Sequence, residues 1–190
     1  MSVICDSYFD ESYDTLSYMF YEGGWEGIGQ AFSGNGGKLE SAQFYMMHSN
    51  DATGTAYAKI YHIMWNFGSS AVPLYPLVAL ATSDPIDVST IADERELVTF
   101  TFSGVNQIIL GATTKYIVTL EVETESVHPD YLYAYVHHVE PTHSGNSCHK
   151  SPDMPWGYLG GPQDTLFYVY TDTPKFIDII SNNSIISVTR

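Results

Sequence analysis

Glu96-Leu97-Val98-Thr99-Phe100-Thr101-Phe102 decides the fold class. Leu97, Thr99 and Thr101 fall on one side of an extended chain, Val98, Phe100 and Phe102 on the other. Successive side chains of a strand point to opposite faces, so this run is a half-buried β-strand with its large apolar groups turned inward. The same period recurs on either side. In Lys115 to Val122, Tyr116, Val118, Leu120 and Val122 share a face. In Thr55 to Ile63, Tyr57, Lys59, Tyr61 and Ile63 oppose Ala56, Ala58, Ile60 and His62. Leu39 to His48, Tyr131 to His138 and Thr165 to Tyr170 read as further strands, and Gln30 to Ser33 and Gln107 to Leu110 as short ones. Gly34-Asn-Gly-Gly37 and Asn50-Asp-Ala-Thr-Gly54 are turn clusters. After Pro174, Phe176 to Ile180 and Ser184 to Val188 read as strands joined at Asn182-Asn183. No segment carries a helical period.

Many strands divided by turn clusters predict an all-β chain, an antiparallel β-sandwich of jelly-roll type. Two long connections, 64–94 and 139–162, favour crossings between sheets over a simple meander. The second is rich in Pro, Gly, His and Ser and is expected to be a surface loop whose partial deletion leaves the sandwich folded. A chain of 190 residues fits one domain. At this size roughly 70% of the unfolded surface is buried on folding, so a core needs no disulfide or metal.

Charge narrows the function classes. Twenty-two Asp and Glu against 7 Lys and Arg leave a formal charge of −15. Such a chain repels phosphate backbones and anionic lipid surfaces, which argues against nucleic-acid and membrane partners. Neutral sugars, divalent cations and basic protein surfaces remain open. Cys5 and Cys148 lie far apart without metal-site spacing and read as two reduced thiols, with a disulfide as the alternative. No stretch is long and apolar enough to span a bilayer. The first residues lack a basic region followed by an apolar one, so no signal peptide is expected.

Residues 1–26 stand apart. Asp6, Asp10, Glu11, Asp14, Glu22 and Glu26 alternate with Tyr8, Phe9, Tyr13, Tyr18, Phe20, Tyr21 and Trp25, without a Lys or Arg. This mixture suits an arm lying along another surface, with Tyr8, Phe9, Tyr18, Phe20 and Trp25 as anchors on a partner. The competing reading is an ordinary first strand tucked against its own domain. The expected division is therefore an arm over 1–26, a sandwich over 27–171 and a C-terminal extension, read as strand, over 172–190.

Phe32-Ser-Gly-Asn-Gly-Gly-Lys-Leu-Glu-Ser-Ala-Gln-Phe-Tyr45 resembles a segment of carbohydrate-binding-module-like jelly-roll domains, which occur in bacterial surface proteins and in phage virion proteins. Ala56 to Tyr61, Leu80 to Asp84 with Asp87 to Thr90, Leu97 to Ile108 and Thr165 to Tyr170 match the same pattern. The resemblance covers about residues 28–171 and consists of core alternation and turns. It implies a fold and brings no catalytic residues with it.

Candidate chemistry is sparse. His137, His138, His143 and His149 cluster, but adjacent strand residues point to opposite faces, so His137 and His138 cannot share a metal, and no zinc signature is present. No nucleophile elbow, P-loop or dinucleotide fingerprint occurs, and no carboxylate pair stands out. The chain is read as a non-enzyme without a cofactor. Asp84, Asp87 and Asp164, at strand or loop ends, are the weak candidates for a calcium ion. Trp65, Phe67, Tyr75, Trp156 and Tyr158 lie in or beside the long connections, as candidates for stacking on sugars or burial in an interface.

These observations set two expectations. The first is a phage virion structural protein, a capsid decoration or cement protein on the exposed virion surface. It would be made in the host cytoplasm, bind partners such as a major capsid protein and form a homo-oligomer such as a trimer. The alternative is a carbohydrate-binding module that adheres to surface glycans through loop aromatics.

Overall fold

Each long strand turns a row of large apolar residues to one face, and two sheets form by closing those faces on each other. The computed structural model describes residues 1–11, 15–19, 26–49, 52–63, 78–123, 132–140, 142–151, 154–158 and 163–173, with the backbone alone for 15–19, 151, 154, 155 and 158. The strands are β1 (Ser2–Tyr8), β2 (Thr15–Met19), β3 (Gly27–Ser33), β4 (Leu39–His48), β5 (Thr55–His62), β6 (Ala81–Thr82), β7 (Ile86–Asp87), β8 (Glu96–Thr101), β9 (Lys115–Glu123), β10 (Leu132–His137), β11 (Ser147–Ser151), β12 (Met154–Tyr158), β13 (Asp164–Thr165) and β14 (Phe167–Asp172).

The protein is an all-β, antiparallel sandwich. One sheet runs β12-β11-β3-β9-β5, with β6 and β7 on the edge of β5. In the other, β4 is central: β8 pairs along one edge, and β14 followed by β10 pairs along the opposite edge. β1 flanks β14 and β2 flanks β10. From β3 to β4 to β5, and from β8 to β9 to β10 to β11, the chain changes sheet at every long strand. The chain therefore crosses between sheets and does not run as a simple meander within one of them.

Phe44, Met46, Phe100, Phe167 and Val169 of the β4 sheet close on Ile28, Phe32, Ile60, Val118 and Leu120 of the other. Fully burying a side chain of this size contributes about 1.5–3 kcal/mol. Phe32 meets Phe167 across the interior at 6.5 Å, and Phe44 meets Phe100 edge-on at 6.0 Å. A second, smaller cluster of Tyr61, Ile117, Cys148 and Trp156 lies apart from this core.

Several sequence expectations are corrected. Ser2–Tyr8 is no free arm but an edge strand of its own sandwich, and β2 continues along the same edge, so the boundary at 26 falls inside the domain. Backbone pairing with β14 and β10, which composition does not report, decides this. Residues 139–162 are not simply a surface loop: Ser147–Ser151 pairs with β3 and Met154–Tyr158 pairs with Ser147–Ser151. The short alternation there is masked by flanking Pro, Gly and His. Ala81–Thr82 and Ile86–Asp87 likewise lie within the 64–94 connection. Gln107 to Leu110 is reduced to a single bridge between Ile109 and Lys38. The C-terminal extension begins within β14, and the strands expected at 176–188 lie outside the described residues.

Both cysteines are free thiols. Burial pushes the Cys5 thiol up to about 12 and raises that of Cys148, which lies wholly inside, further still. The thiolate is the reactive form. A thiol reagent at pH 8 is therefore expected to label neither cysteine until the chain unfolds, and rapid labelling in native buffer contradicts this packing.

Candidate functional site

Cross-strand partners share a face, so the pairing register of β8, β4 and β14 identifies the groups turned outward. Ser41 lies between Thr101 and Tyr170, Gln43 between Thr99 and Tyr168, and Tyr45 opposite Leu97. Met47 faces Tyr133 on β10, and Ile4 on β1 faces Tyr170. The result is a continuous aromatic row. Phe9 lies 5.3 Å from Tyr45, Tyr45 6.5 Å from Tyr168, and Tyr168 stacks on Tyr170 at 6.2 Å. The guanidinium of Arg95 rests 5.4 Å over Tyr45 and 5.8 Å over Tyr135.

The cross-strand pairs of this face hold no carboxylate, in a chain of net charge −15. None of Leu97, Thr99, Thr101, Ser41, Gln43, Tyr45, Met47, Tyr168 or Tyr170 is a carboxylic acid, and Arg95 beside them is a cation. Asp172, at the end of β14, turns its carboxylate onto the Lys38 N–H at 2.6 Å. Ile4 is 53% exposed, Phe9 40% and Leu97 38%. Burial, with Tyr45 beside it, raises the Tyr168 hydroxyl above its ordinary range, so it stays a neutral donor through physiological pH. In the centre the Gln43 amide donates to the Thr99 hydroxyl at 2.8 Å. Rigid aromatic rings around a few oriented polar groups are the ingredients from which recognition surfaces are built.

The buried polar groups gather elsewhere, where β1 closes over the interior. A bulge between Ile4 and Asp6 inserts one residue into β1. Ile4 faces outward with Tyr170, so strict alternation would also turn Asp6 outward; the extra residue turns it inward. There Asp6 accepts from the Ser33 N–H at 2.9 Å and lies 3.2 Å from His143 Nε2. His143 Nδ1 receives the Gly145 N–H at 3.1 Å and the Gln30 amide at 3.2 Å. The hydrogen of this imidazole therefore sits on Nε2 and points at Asp6. With both nitrogens engaged inside the protein, His143 has none free to act as a base. Gln30 also donates to Asp164 at 2.8 Å and accepts from the Thr165 N–H at 2.8 Å. The Tyr8 hydroxyl lies 2.6 Å from His137 Nδ1.

The two carboxylates of this network are shifted oppositely. Burial works against ionisation of Asp6, but hydrogen bonds from His143, Ser33 and Ser7 outweigh it and hold the carboxyl below its usual range. For Asp164 burial prevails over the hydrogen bonds from Gln30 and His143, and its carboxyl is raised.

A third cluster lies on the far sheet. Glu121 is buried, accepting from Tyr61 Oη at 2.6 Å, Thr119 Oγ1 at 3.0 Å and Lys59 Nζ at 3.1 Å. Burial and the Glu121 carboxylate both raise the Tyr61 hydroxyl. Every group here is held by another, as a structural ion pair requires.

The sequence candidates separate accordingly. Tyr8 is spent inside its own fold, while Phe9 joins the aromatic face. Tyr18 lies in β2, its side chain outside the described residues, as are Phe20 and Trp25. Trp156 is only 3% exposed and packs on Tyr61 at 6.0 Å, so it offers no ring to a sugar or partner. Tyr158 lies in β12, while Trp65, Phe67 and Tyr75 fall outside the described residues. Asp84 accepts from Ser103 Oγ at 2.7 Å, Asp87 caps the turn at Val88–Thr90 through the Ser89 N–H, and Asp164 belongs to the Gln30 network. Among the described residues no three His, Cys, Asp or Glu side chains converge as a metal site would need. The aromatic face lies on strands and not on the long connections; its signal in the sequence is Tyr45, Tyr168 and Tyr170 on the polar phase of strands whose other phase is core.

The fold and this face together define an antiparallel β-sandwich with an aromatic row on the outer face of one sheet. No family model matches the chain, and no curated protein matches it.

Proposed function

We propose that this chain is a non-enzymatic structural protein of a phage virion, of the decoration or cement kind, that attaches to a neighbouring virion subunit through the outer face of β8, β4 and β14. The resemblance to jelly-roll domains of virion proteins supports the class. The observation that carries the mode of attachment is the row of tyrosines whose cross-strand pairs hold no carboxylate, in a strongly acidic chain. Elsewhere like charge keeps anionic surfaces away, while here aromatic area can be buried without stranding a carboxylate. The matching partner surface is neutral and apolar at its centre, with its basic groups around the rim, where they meet the acidic remainder of the chain.

Tyr45→Ala with Tyr168→Ala removes the centre of this face without touching the core. Two interface anchors of this kind together are worth about a hundredfold or more in affinity. The double variant should stay folded by circular dichroism and fail to co-sediment with virion shells that the unmodified chain decorates. Normal decoration by the folded variant overturns the assignment.

A second reading has its own observation. The Gln43–Thr99 amide–hydroxyl pair sits beside the ring row, as in sites that stack sugars and orient them by hydrogen bonds. On that reading the face takes an uncharged surface glycan. A glycan array separates the two: saturable binding to a neutral glycan, lost in the same double variant, with no affinity for shells, favours the adhesive module.

A further inference from the structure

We propose that the outer edge of β8 takes an extended segment of a partner protein as an added strand, one with neutral, β-branched residues at its centre and basic residues at its ends. This goes beyond the reading above: it concerns backbone groups at a sheet edge and holds whatever the tyrosine face binds.

The hydrogen-bond phase of β8 leaves one row of backbone groups turned away from the sheet. The Phe102 N–H donates to the Glu40 carbonyl, and the unbroken register carries that phase back through Phe100 and Val98, so these residues bond to β4. Successive residues of an antiparallel strand alternate in this respect. Leu97, Thr99 and Thr101 therefore point their N–H and C=O groups away from β4. The Thr101 carbonyl accepts from the Asp84 N–H at 2.8 Å, which fits that phase and closes one end of the edge. Among the described residues no group bonds to the main-chain N–H or C=O of Leu97 or Thr99, and both residues are exposed.

Open edges are normally blunted by a charge, a proline, a bulge or brevity. From Leu97 to Thr101 there is no charge and no proline, and the pairing with β4 runs without a bulge. β1, at the opposite edge beyond β14, carries a bulge. A second β8 is a poor occupant. Symmetric pairing about Thr99 needs the Thr101 carbonyl that Asp84 already fills. It also brings the exposed Asp93 and Glu94 before one strand towards the exposed Asp84 of the other, in a chain of net charge −15. Arg95, between Glu94 and Glu96, lies over the Tyr45 and Tyr135 rings. Carboxylates at both ends of the open stretch favour Lys or Arg at the ends of a foreign strand. In strand addition the main-chain bonds give affinity and alternate side chains give specificity. Here those side chains lie beside Leu97 and Thr99, which share their face with Tyr45 and Gln43, so neutral β-branched residues fit without meeting a charge.

The test is amide hydrogen exchange on the full chain, read by NMR. The probe is a synthetic peptide of alternating valine and threonine with two lysines at each end, N-methylated at every second residue so that it offers one edge and cannot stack on itself. In the chain alone the Leu97 and Thr99 amides should exchange at least about a hundredfold faster than those of Val98 and Phe100. Saturating peptide should slow Leu97 and Thr99 at least about tenfold, and a control peptide methylated at every central residue should not. Thr99→Pro removes an N–H that β4 does not use, so the variant should keep its fold by circular dichroism and bind the peptide at least about tenfold more weakly; the exchange readout on the unmodified chain stands without it. Leu97 and Thr99 amides protected in the chain alone at every concentration mean that the chain's own residues fill the edge. Protection that rises with chain concentration means that a second copy does. No added protection at millimolar peptide means that no strand is accepted. Each of these results overturns the proposal, as does a folded Thr99→Pro chain that binds the peptide normally, and none of them bears on the co-sedimentation test of the tyrosine face.

Discussion

Replacing Trp156 by alanine is expected to destabilise the chain by about 3–5 kcal/mol, the usual cost of truncating a buried aromatic. Trp156 is 3% exposed and belongs to a cluster with Tyr61, Ile117 and Cys148. The terminal carbon of its indole lies 3.3 Å from where a Cβ on Gly27 would stand, so the ring rests against the backbone of β3. Truncation opens a cavity whose walls are paired strands: β11 is bonded to β3, and β3 to β9. They cannot collapse inward without breaking their ladders. The loss should be cooperative in urea, shifting the midpoint with little change in slope. A cost below about 1 kcal/mol, normal for a surface substitution, would mean that the 139–162 segment is a loop after all. The same packing predicts that deleting residues 147–158 is not tolerated.

Gln30→Leu should cost roughly 2–4 kcal/mol at neutral pH, although the shape changes little. Gln30 serves three buried partners: it donates to Asp164 and His143 and accepts from the Thr165 N–H. A hydrogen bond to a charged group contributes about 1.5–3 kcal/mol, and an orphaned buried group adds its desolvation cost. The pH dependence identifies the cause. The Asp164 carboxyl is already raised by burial, and Gln30 is the first of the bonds opposing that rise. Without it the folded-state value moves further up, while the unfolded value stays. A group raised on folding stabilises the fold while protonated, and that contribution is lost as pH climbs through its folded value. The deficit of Gln30→Leu should therefore be largest at neutral pH and shrink on acidification towards the carboxylate range. Asp6, held low, has the opposite sign: its contribution is complete above its ordinary value and is lost only as pH falls through the lowered one. A deficit independent of pH would place the damage in packing rather than in the buried charge.

The fold class was legible because a half-buried strand writes its two faces into alternate residues. Glu96 to Thr101 and Lys115 to Glu123 are strands at nearly the limits read from the chain, with Val98, Phe100, Val118 and Leu120 inside. The acidic balance and the turn at Gly34 to Gly37 were legible for the same reason: each is a property of a few neighbouring residues. Features that depend on pairing between distant segments were not. Whether residues 2–8 form an arm or a strand depends on the edge of β14, at the far end of the sequence at Phe167–Asp172. Whether Trp156 is a platform or a core residue depends on β3 and β5 beneath it. Gln30, in the middle of an otherwise apolar strand, drew no notice in sequence, because its three partners lie on β13 and in the turn around His143. The aromatic face needed both kinds of information. Alternation placed Tyr45, Tyr168 and Tyr170 opposite the core, and only the register of β4 against β14 and β8 brought them into one row. Local periodicity is a consequence of backbone geometry and is carried by the sequence itself. Register between strands is selected by packing across the whole sandwich, so the tertiary structure alone decided which of these side chains meet.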